Sequence, residues 1–303
     1  MFVIKYRKIF YIFSGCIFAL ALFSLATRGL NLGMDFTGGS EVQFDYSINR
    51  PSVVNVRETL GTAGITDVTV RPIGTNSFIF ESKEMDPKTV PAFYQKMFET
   101  LQAKSPEVTL TKGEPHVIGP SIGAELRSKA ILAIIAVILG ILFLIAYSFR
   151  NVSQELSSWK YGLAVVLCLV HDVMVPVGFV SLVQLPVDSL FVVAILAVLA
   201  LSVNDTIVVF DRVRENSRLK KATETFGEVV GKSLKQTIVR SLNTSIANLL
   251  AISALYFLGP EATRPFALIL GVGLVFGTYS SVFLASPFLV EIEKKQKRKA
   301  HRN

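Results

Sequence analysis

Two acidic residues interrupt long apolar runs and are the strongest candidates for chemistry in this sequence. Asp205 lies inside the run 190–210, and Asp172 lies near the middle of the run 161–183. A carboxylate at membrane depth costs roughly 2.5 to 3.5 kcal/mol even on lenient insertion scales. Because ionisable residues at such positions usually mark ion or proton paths, we interpret Asp205 and Asp172 as proton-coupling residues. The alternatives are an interfacial Asp205 and a structural Asp172 that is hydrogen-bonded to a neighbouring helix.

A basic residue on the fifth apolar segment is the natural partner for Asp205. Arg240, Thr244 and Asn248 follow one another at four-residue spacing and form one polar helical face. A cation within about 4–6 Å would favour the ionised carboxylate, and its withdrawal would favour proton uptake. We therefore predict that Arg240 and Asp205 form a switch. The alternative is that Arg240 only anchors its helix at the lipid headgroups.

Small residues recur in the last apolar segment. Gly273, Gly277, Ser281 and Ala285 share four-residue spacing, which predicts a ridge that lets another helix approach closely in lipid. We interpret this ridge as packing, with no chemistry of its own.

A glycine-rich segment follows the first apolar run. It contains Gly33, Asp35, Gly38 and Gly39, but it lacks the lysine and the spacing of a phosphate-binding loop. We predict that the glycines permit a tight turn. The sequence also lacks hydrolase, zinc-protease, CxxC and kinase signatures, so we expect neither an enzyme, nor a metal site, nor a cofactor.

The elements that must position these residues are membrane helices. The chain has 303 residues, of which 51% are hydrophobic and 18% are charged, against about 25% charged in ordinary globular domains. Six apolar runs are long enough to span a bilayer of about 30 Å. Their predicted bounds are 9–27, 130–149, 161–183, 190–210, 241–260 (extendable back to 236) and 265–290.

The segment between the first two runs has the character of a soluble domain. Alternation at Val42, Phe44 and Tyr46 predicts a strand, and two further strands flank the turn at 74–76. Helical patterns begin near Ser52 and Asp86, and a last strand covers 108–112. The order βαββαβ predicts a ferredoxin-like α+β domain at residues 29–128. The first helix then occupies 1–28, and a five-helix membrane domain with a basic tail occupies 129–303.

The positive charges predict the orientation in the membrane. Nineteen Lys and Arg residues lie on the side of both termini, and the two short loops on the opposite side hold only Arg264. The positive-inside rule therefore predicts cytoplasmic termini and an external ferredoxin-like domain. The net charge of +8 is explained by this topology and by contact with lipid, so we expect no nucleic acid partner.

Five ordered motifs between residue 29 and about residue 291 resemble the SecD/SecF protein-export family of the resistance–nodulation–division superfamily. They are GMDFTGG (33–39), GPSIGAELRSKA (119–130), HDVMVPVGF (171–179), SVNDTIVVFDRVREN (202–216) and FGTYSSVFLASPFLV (276–290).

This resemblance implies a subunit of the bacterial inner membrane that uses the proton-motive force to assist protein export. The implied partners are SecD, the SecYEG channel, an unfolded preprotein, YajC and YidC. The family's intramembrane acids and arginine correspond to Asp205, Asp172 and Arg240. Two other functions are weighed against this one: a small-molecule exporter of the same superfamily, and a passive scaffold for SecD.

Overall fold

A computed structural model describes residues 2–48, 50–83, 86–149, 156–221 and 223–300. Most of the loop after the second span (150–155) and the end of the basic tail (301–303) lie outside the described residues. The chain divides into two compact units. The helical unit comprises residues 1–31 and 132–303, and the sheet unit comprises residues 32–131.

The helices of the described chain range in length from single turns to long spans. They are α1 (Phe2–Lys5), α2 (Arg7–Arg28), α3 (Met34–Thr37), α4 (Val53–Thr62), α5 (Val90–Lys104), α6 (Pro120–Ser148), α7 (Ser158–Val183), α8 (Ser189–Arg218), α9 (Phe226–Leu258), α10 (Arg264–Ser280) and α11 (Ser286–Ala300). The strands are β1 (Asn31–Leu32), β2 (Gly39–Tyr46), β3 (Val68–Ile73), β4 (Ser77–Ser82), β5 (Leu110–Lys112), β6 (His116–Ile118) and β7 (Pro186–Val187).

Six stretches of helix in the described residues are long and apolar enough to cross a membrane, as the six runs predicted. They are α2, α6, α7, α8, α9 and the stretch that contains α10 and α11. The fifth of these spans, α9, begins earlier than predicted, at Phe226, because Thr225 and Glu228 form a reciprocal capping box there. A hydropathy run measures lipid contact, whereas a helix continues for as long as its backbone bonds are satisfied.

The last span is interrupted. Between α10 and α11 the residues Ser281–Ala285 form a π-helical turn. Its backbone hydrogen bonds join residues five apart, whereas those of an α-helix join residues four apart. The apolar run 265–290 predicted a single regular span, because hydropathy does not report helix type. Such π turns often occur at functional sites.

The sheet unit has the predicted βαββαβ order. Its strands are arranged β3-β4-β2-β5 with antiparallel pairing, and β6, which was not predicted, pairs with the start of β2. The core of this unit consists of inward residues of the sheet and of α4 and α5, including Phe44, Phe78, Phe80 and Tyr94. Phe44 lies directly opposite Phe78 on the neighbouring strand.

The start of α5 differs from the prediction. Asp86 was expected to cap this helix, but the helix begins at Val90 with Thr89 as its flanking residue. Asp86 instead accepts a hydrogen bond from the backbone N–H of Lys88 at 2.9 Å, which is a local Asx-type turn.

The core of the helical unit is formed by α7, α8, the π turn and α11. Val209, Phe210 and Val213 of α8 are fully buried there, together with Tyr161 and Leu169 of α7. In contrast, α6 and most of α9 expose large apolar side chains. Most buried polar side chains of the helical unit lie on α7, α8, α9 and α10.

Candidate functional site

Asp172 is completely buried in the helical unit and is held by hydroxyl groups of two other helices. Its Oδ2 accepts hydrogen bonds from Ser202 Oγ on α8 and from Ser280 Oγ on α10, the latter at 2.7 Å. Its Oδ1 lies 3.0 Å from Nδ1 of His171. A buried carboxylate without partners would be expensive, and these contacts offset that cost.

Asp172 also contacts its neighbour in sequence, His171. Adjacent residues point about 100° apart on a helix, so their side chains need not act together. The structure brings their side chains within hydrogen-bonding distance. His171 is itself 6% exposed, and its Nε2 has no hydrogen-bond partner among the described residues.

Asp205 lies on the same face of α8 as Ser202, because residues three apart share a helix face, and it is 5% exposed. Its Oδ2 accepts a hydrogen bond from Ser245 Oγ of α9 at 3.2 Å. Ser245 Oγ also lies 2.7 Å from Thr278 Oγ1 of α10. Asp205 is thus enclosed by three helices and faces the interior of the bundle.

Two further hydroxyl groups connect α8 with the π turn. Thr206 Oγ1 and Ser281 Oγ are 2.8 Å apart, and Ser281 Oγ lies 3.2 Å from the backbone oxygen of Ser202. We call the six residues that surround the acids the hydroxyl belt: Ser202, Thr206, Ser245, Thr278, Ser280 and Ser281. Because a hydroxyl can donate and accept, this belt can hydrogen-bond a carboxyl group in either protonation state.

The polar stripe predicted on α9 lies on a different face from the one that contacts the belt. Arg240 and Thr244 are exposed and Asn248 is half-buried. In the described part of the chain, Arg240 makes no ion pair with Asp205. The hydrogen bond from Ser245 takes the place of the predicted pair.

The buried face of α9 is a second polar stripe, shifted by one residue from the first. It consists of Ser233, Thr237, Ser241 and Ser245, all buried and spaced four residues apart. Serine and threonine in an apolar segment are weak signals, so the sequence alone favoured the stripe that carries the charge. The spacing of this second stripe was the available signal.

The small-residue ridge of the last span packs against α8, as expected for close approach in lipid. A Cβ added to Gly273 would lie 2.2 Å from Val198 Cγ2, and one added to Gly277 would lie 3.0 Å from Ser202 Cβ. Ser281 does more than pack, since its hydroxyl belongs to the belt. The ridge therefore sets the distance between the two helices that carry Ser202, Asp205 and Ser280.

The glycine-rich motif lies in the sheet unit and forms a one-turn helix where a tight turn was predicted. Gly33 precedes α3, and Asp35 lies within it. Gly38 and Gly39 follow with positive φ angles of 75° and 145°, which favour glycine. A Cβ at Gly39 would lie 2.6 Å from the Ser82 backbone oxygen, so a side chain there is excluded.

A further glycine completes this motif. A Cβ at Gly123, in the first turn of α6, would lie 3.0 Å from the Gly38 nitrogen. The two glycine motifs, 33–39 and 119–123, therefore pack directly on each other. They are distant from each other in sequence, and no local pattern indicates this contact.

Replacing Ser245 with Ala should destabilise the protein by about 1–3 kcal/mol, because Asp205 would lose one of its hydrogen-bond donors in a buried site. Thr244→Ala is the matched control, since Thr244 is exposed and, among the described residues, its hydroxyl bonds only to the Arg240 carbonyl of its own helix. The free energy of unfolding in detergent micelles measures both. Equal effects of the two substitutions would contradict the assignment of the buried face.

Comparisons with known proteins agree with the motifs. Residues 98–295 match the family described as "Protein export membrane protein SecD/SecF, C-terminal", and residues 23–47 match the "SecD/SecF GG Motif". A protein of Thermobaculum terrenum described as "Protein translocase subunit SecF" is 36% identical over 312 residues, which cover 97% of this chain and 94% of that protein. One of the same description from Sebaldella termitidis is 34% identical and is covered to 92%.

A solved structure is also similar to this chain. The crystal structure of SecDF, a translocon-associated membrane protein of Thermus thermophilus, has a TM-score of 0.82 and 29% sequence identity. The match covers 96% of this chain and 38% of the SecDF chain. This chain therefore spans well under half the length of that protein.

Proposed function

Because this chain belongs to the SecD/SecF family of protein export membrane proteins, as a SecF subunit of the Sec protein translocase, we propose that it couples the proton-motive force to protein export. In this proposal it works with SecD, and it assists preproteins through SecYEG across the bacterial inner membrane. It is a multi-pass membrane protein with six candidate spans. The distribution of Lys and Arg supports cytoplasmic termini.

The observation that carries this proposal is the pair of buried acids, Asp172 and Asp205, in one belt of hydroxyl groups. An ionised carboxylate only accepts hydrogen bonds, whereas a protonated one also donates. Proton uptake at either acid therefore requires neighbouring hydroxyls such as Ser245 or Ser280 to change their roles. The belt spans α8, α9 and α10, so this change acts on the contacts among three helices.

Tight packing can convert this local change into helix movement. Gly273 and Gly277 leave no space between α10 and α8, and packed interfaces of this kind switch between discrete arrangements. The π turn Ser281–Ala285 begins at a belt residue and is the irregular point of the last span. We infer that protonation shifts α8 and α10 relative to each other, and that this movement drives the external domain.

The role of Arg240 in this proposal requires a second chain. Its side chain is exposed on α9, a helix that also exposes large apolar residues such as Val239 and Ile246. A cation on an apolar face is costly in lipid unless it reaches the headgroups or an acidic partner. We propose that helices of SecD pack on this face and bring Arg240 into the proton path.

Two other functions are less well supported. A small-molecule exporter is disfavoured, because the chain belongs to a protein-export family. A passive scaffold with a structural Asp205–Arg240 ion pair is not favoured, since the described residues contain no such pair. Replacing Asp205 with Asn separates the cases, because Asn keeps the acceptor for Ser245 but cannot take up a proton: a scaffold should retain its activity, whereas a proton switch should lose it.

Preprotein export into sealed membrane vesicles tests the proposed function. Vesicles that contain this chain together with SecD should export more preprotein with an imposed pH gradient than without one. Vesicles that lack the chain should show no such difference. A matched sodium gradient identifies the coupling ion. Equal export with and without either gradient would refute ion coupling.

A further inference from the structure

A cavity of about 670 Å³ lies at the end of the helical unit that carries both chain termini. It is bordered by α1 and the start of α2, by the loop before α9, and by the middle of α11. The hydroxyl belt contributes no residue to its lining. We call this space the basic cavity.

The lining of the basic cavity has an excess of positive charge. Five lining side chains are cationic: Lys5, Arg7, Lys220, Lys294 and Lys297. Three lining side chains are carboxylates: Glu224, Glu228 and Glu293. The formal balance of these eight groups is thus two positive charges.

The carboxylates of the cavity are already engaged by neighbours in the chain. Glu293 is 6% exposed and is ion-paired with Lys297. Glu228 accepts a hydrogen bond from the Thr225 backbone at 2.7 Å, as part of the capping box. Glu224 accepts one from the Lys221 backbone at 3.1 Å. Each of these carboxylates therefore already has a hydrogen-bond or ion-pair partner within the chain.

The cations are less fully engaged. Arg7 is paired with Glu291 at 2.5 Å, and Lys5 lies 5.5 Å from the ring centre of the neighbouring Tyr6. Lys294 is exposed and forms no ion pair among the described residues. Lys5 and Lys294 are thus the cations best able to bind an anion.

The wall behind these charges is apolar. Ile4, Phe226 and Val290 line the cavity, and a Cβ placed on Gly227 would lie 3.6 Å from Val290 and 3.9 Å from Ile4. Phe2 and Tyr6, on the adjacent turn, expose 64% and 39% of their surface. A space with an apolar wall, a basic rim and exposed aromatic neighbours matches an amphiphile with an anionic head.

We propose that the basic cavity binds a phosphate group, and that the phosphate is the headgroup of an anionic phospholipid of the membrane leaflet. Lys5 and Lys294 contact the phosphate oxygens, and the start of the acyl chains lies along Ile4 and Val290. The same phosphate chemistry is offered by free inorganic phosphate, which lacks the apolar part. A bound lipid would join the first span to the last one and to the start of α9.

The full chain in neutral detergent tests this proposal by native mass spectrometry. The probes are short-chain phosphatidylglycerol, short-chain phosphatidylcholine and inorganic phosphate. The variant Lys5→Gln/Lys294→Gln should bind phosphatidylglycerol at least about tenfold more weakly than the unaltered chain, given about a fivefold effect per basic group near an anionic surface. The variant Glu224→Gln should bind it more tightly, because a lining carboxylate is removed.

The matched control is Lys232→Gln/Lys235→Gln, which removes the same charge from exposed positions of α9 outside the cavity. This control should leave phosphatidylglycerol binding within about twofold, as expected for surface charges without a site. Equal weakening in both double variants, or none in either, would overturn the proposal. Displacement of the lipid by equimolar inorganic phosphate would overturn the lipid assignment, and persistence of the lipid supports it.

Discussion

Replacing Asp205 with Asn should abolish the gradient-dependent part of preprotein export and leave the chain folded and associated with SecD. The amide of Asn has nearly the same shape, and its oxygen can still accept the hydrogen bond from Ser245. It cannot take up a proton. Export by vesicles that carry this variant should therefore fall to the level measured without a pH gradient.

A control on the same helix makes this result specific. Asp211 lies on α8 as well, but it is exposed and forms an ion pair with Arg214 at 2.5 Å. Asp211→Asn is the same chemical change at the helix surface, and such exposed pairs contribute only about 0–1 kcal/mol. It should leave gradient-dependent export unchanged. If both variants retained gradient-dependent export, proton coupling at Asp205 would be refuted.

Replacing Gly178 with Ala should separate α2 from α7 and cause a large loss of stability for the addition of a single methyl group. A Cβ at this position would lie 2.2 Å from the Ala21 Cβ and 2.4 Å from its Cα. Because one of these atoms belongs to the backbone, the helices must move apart. Overpacking of this kind costs about 1–3 kcal/mol and occasionally more.

The separation of these helices can be measured next to the substitution. Ser24 Oγ and Ser181 Oγ are 3.1 Å apart across the same interface. A disulfide between cysteines introduced at these two positions should form less readily when Gly178→Ala is present. The midpoint of thermal unfolding in detergent should fall in the same variant.

Gly140 provides the matched control for this substitution. It lies on α6, and a Cβ there would meet no atom within 4 Å. Gly140→Ala should be neutral or stabilising by up to about 1 kcal/mol, since Ala is the better helix former. A loss of stability as large as that of Gly178→Ala would show that the close approach of α2 and α7 is not the cause.

The sequence by itself determined the architecture of this protein. Only helices satisfy their own backbone groups in lipid, so each long apolar run had to become a helical span. Alternation at Val42, Phe44 and Tyr46 similarly predicted a strand, and the element order predicted the arrangement of the sheet. The placement of Ser202 beside Asp205 also followed from the sequence, because residues three apart share a helix face.

Only the tertiary structure decided which groups contact the two acids. The stripe that begins at Arg240 and the buried stripe that contains Ser241 are offset by one residue, which turns them about 100° apart on α9. In a soluble protein, hydrophobicity would mark the buried face. In a membrane, lipid and protein interior are equally apolar, so hydropathy cannot distinguish them. The contact from Ser245 to Asp205, and that from Ser280 to Asp172, therefore depend on packing between helices distant in sequence.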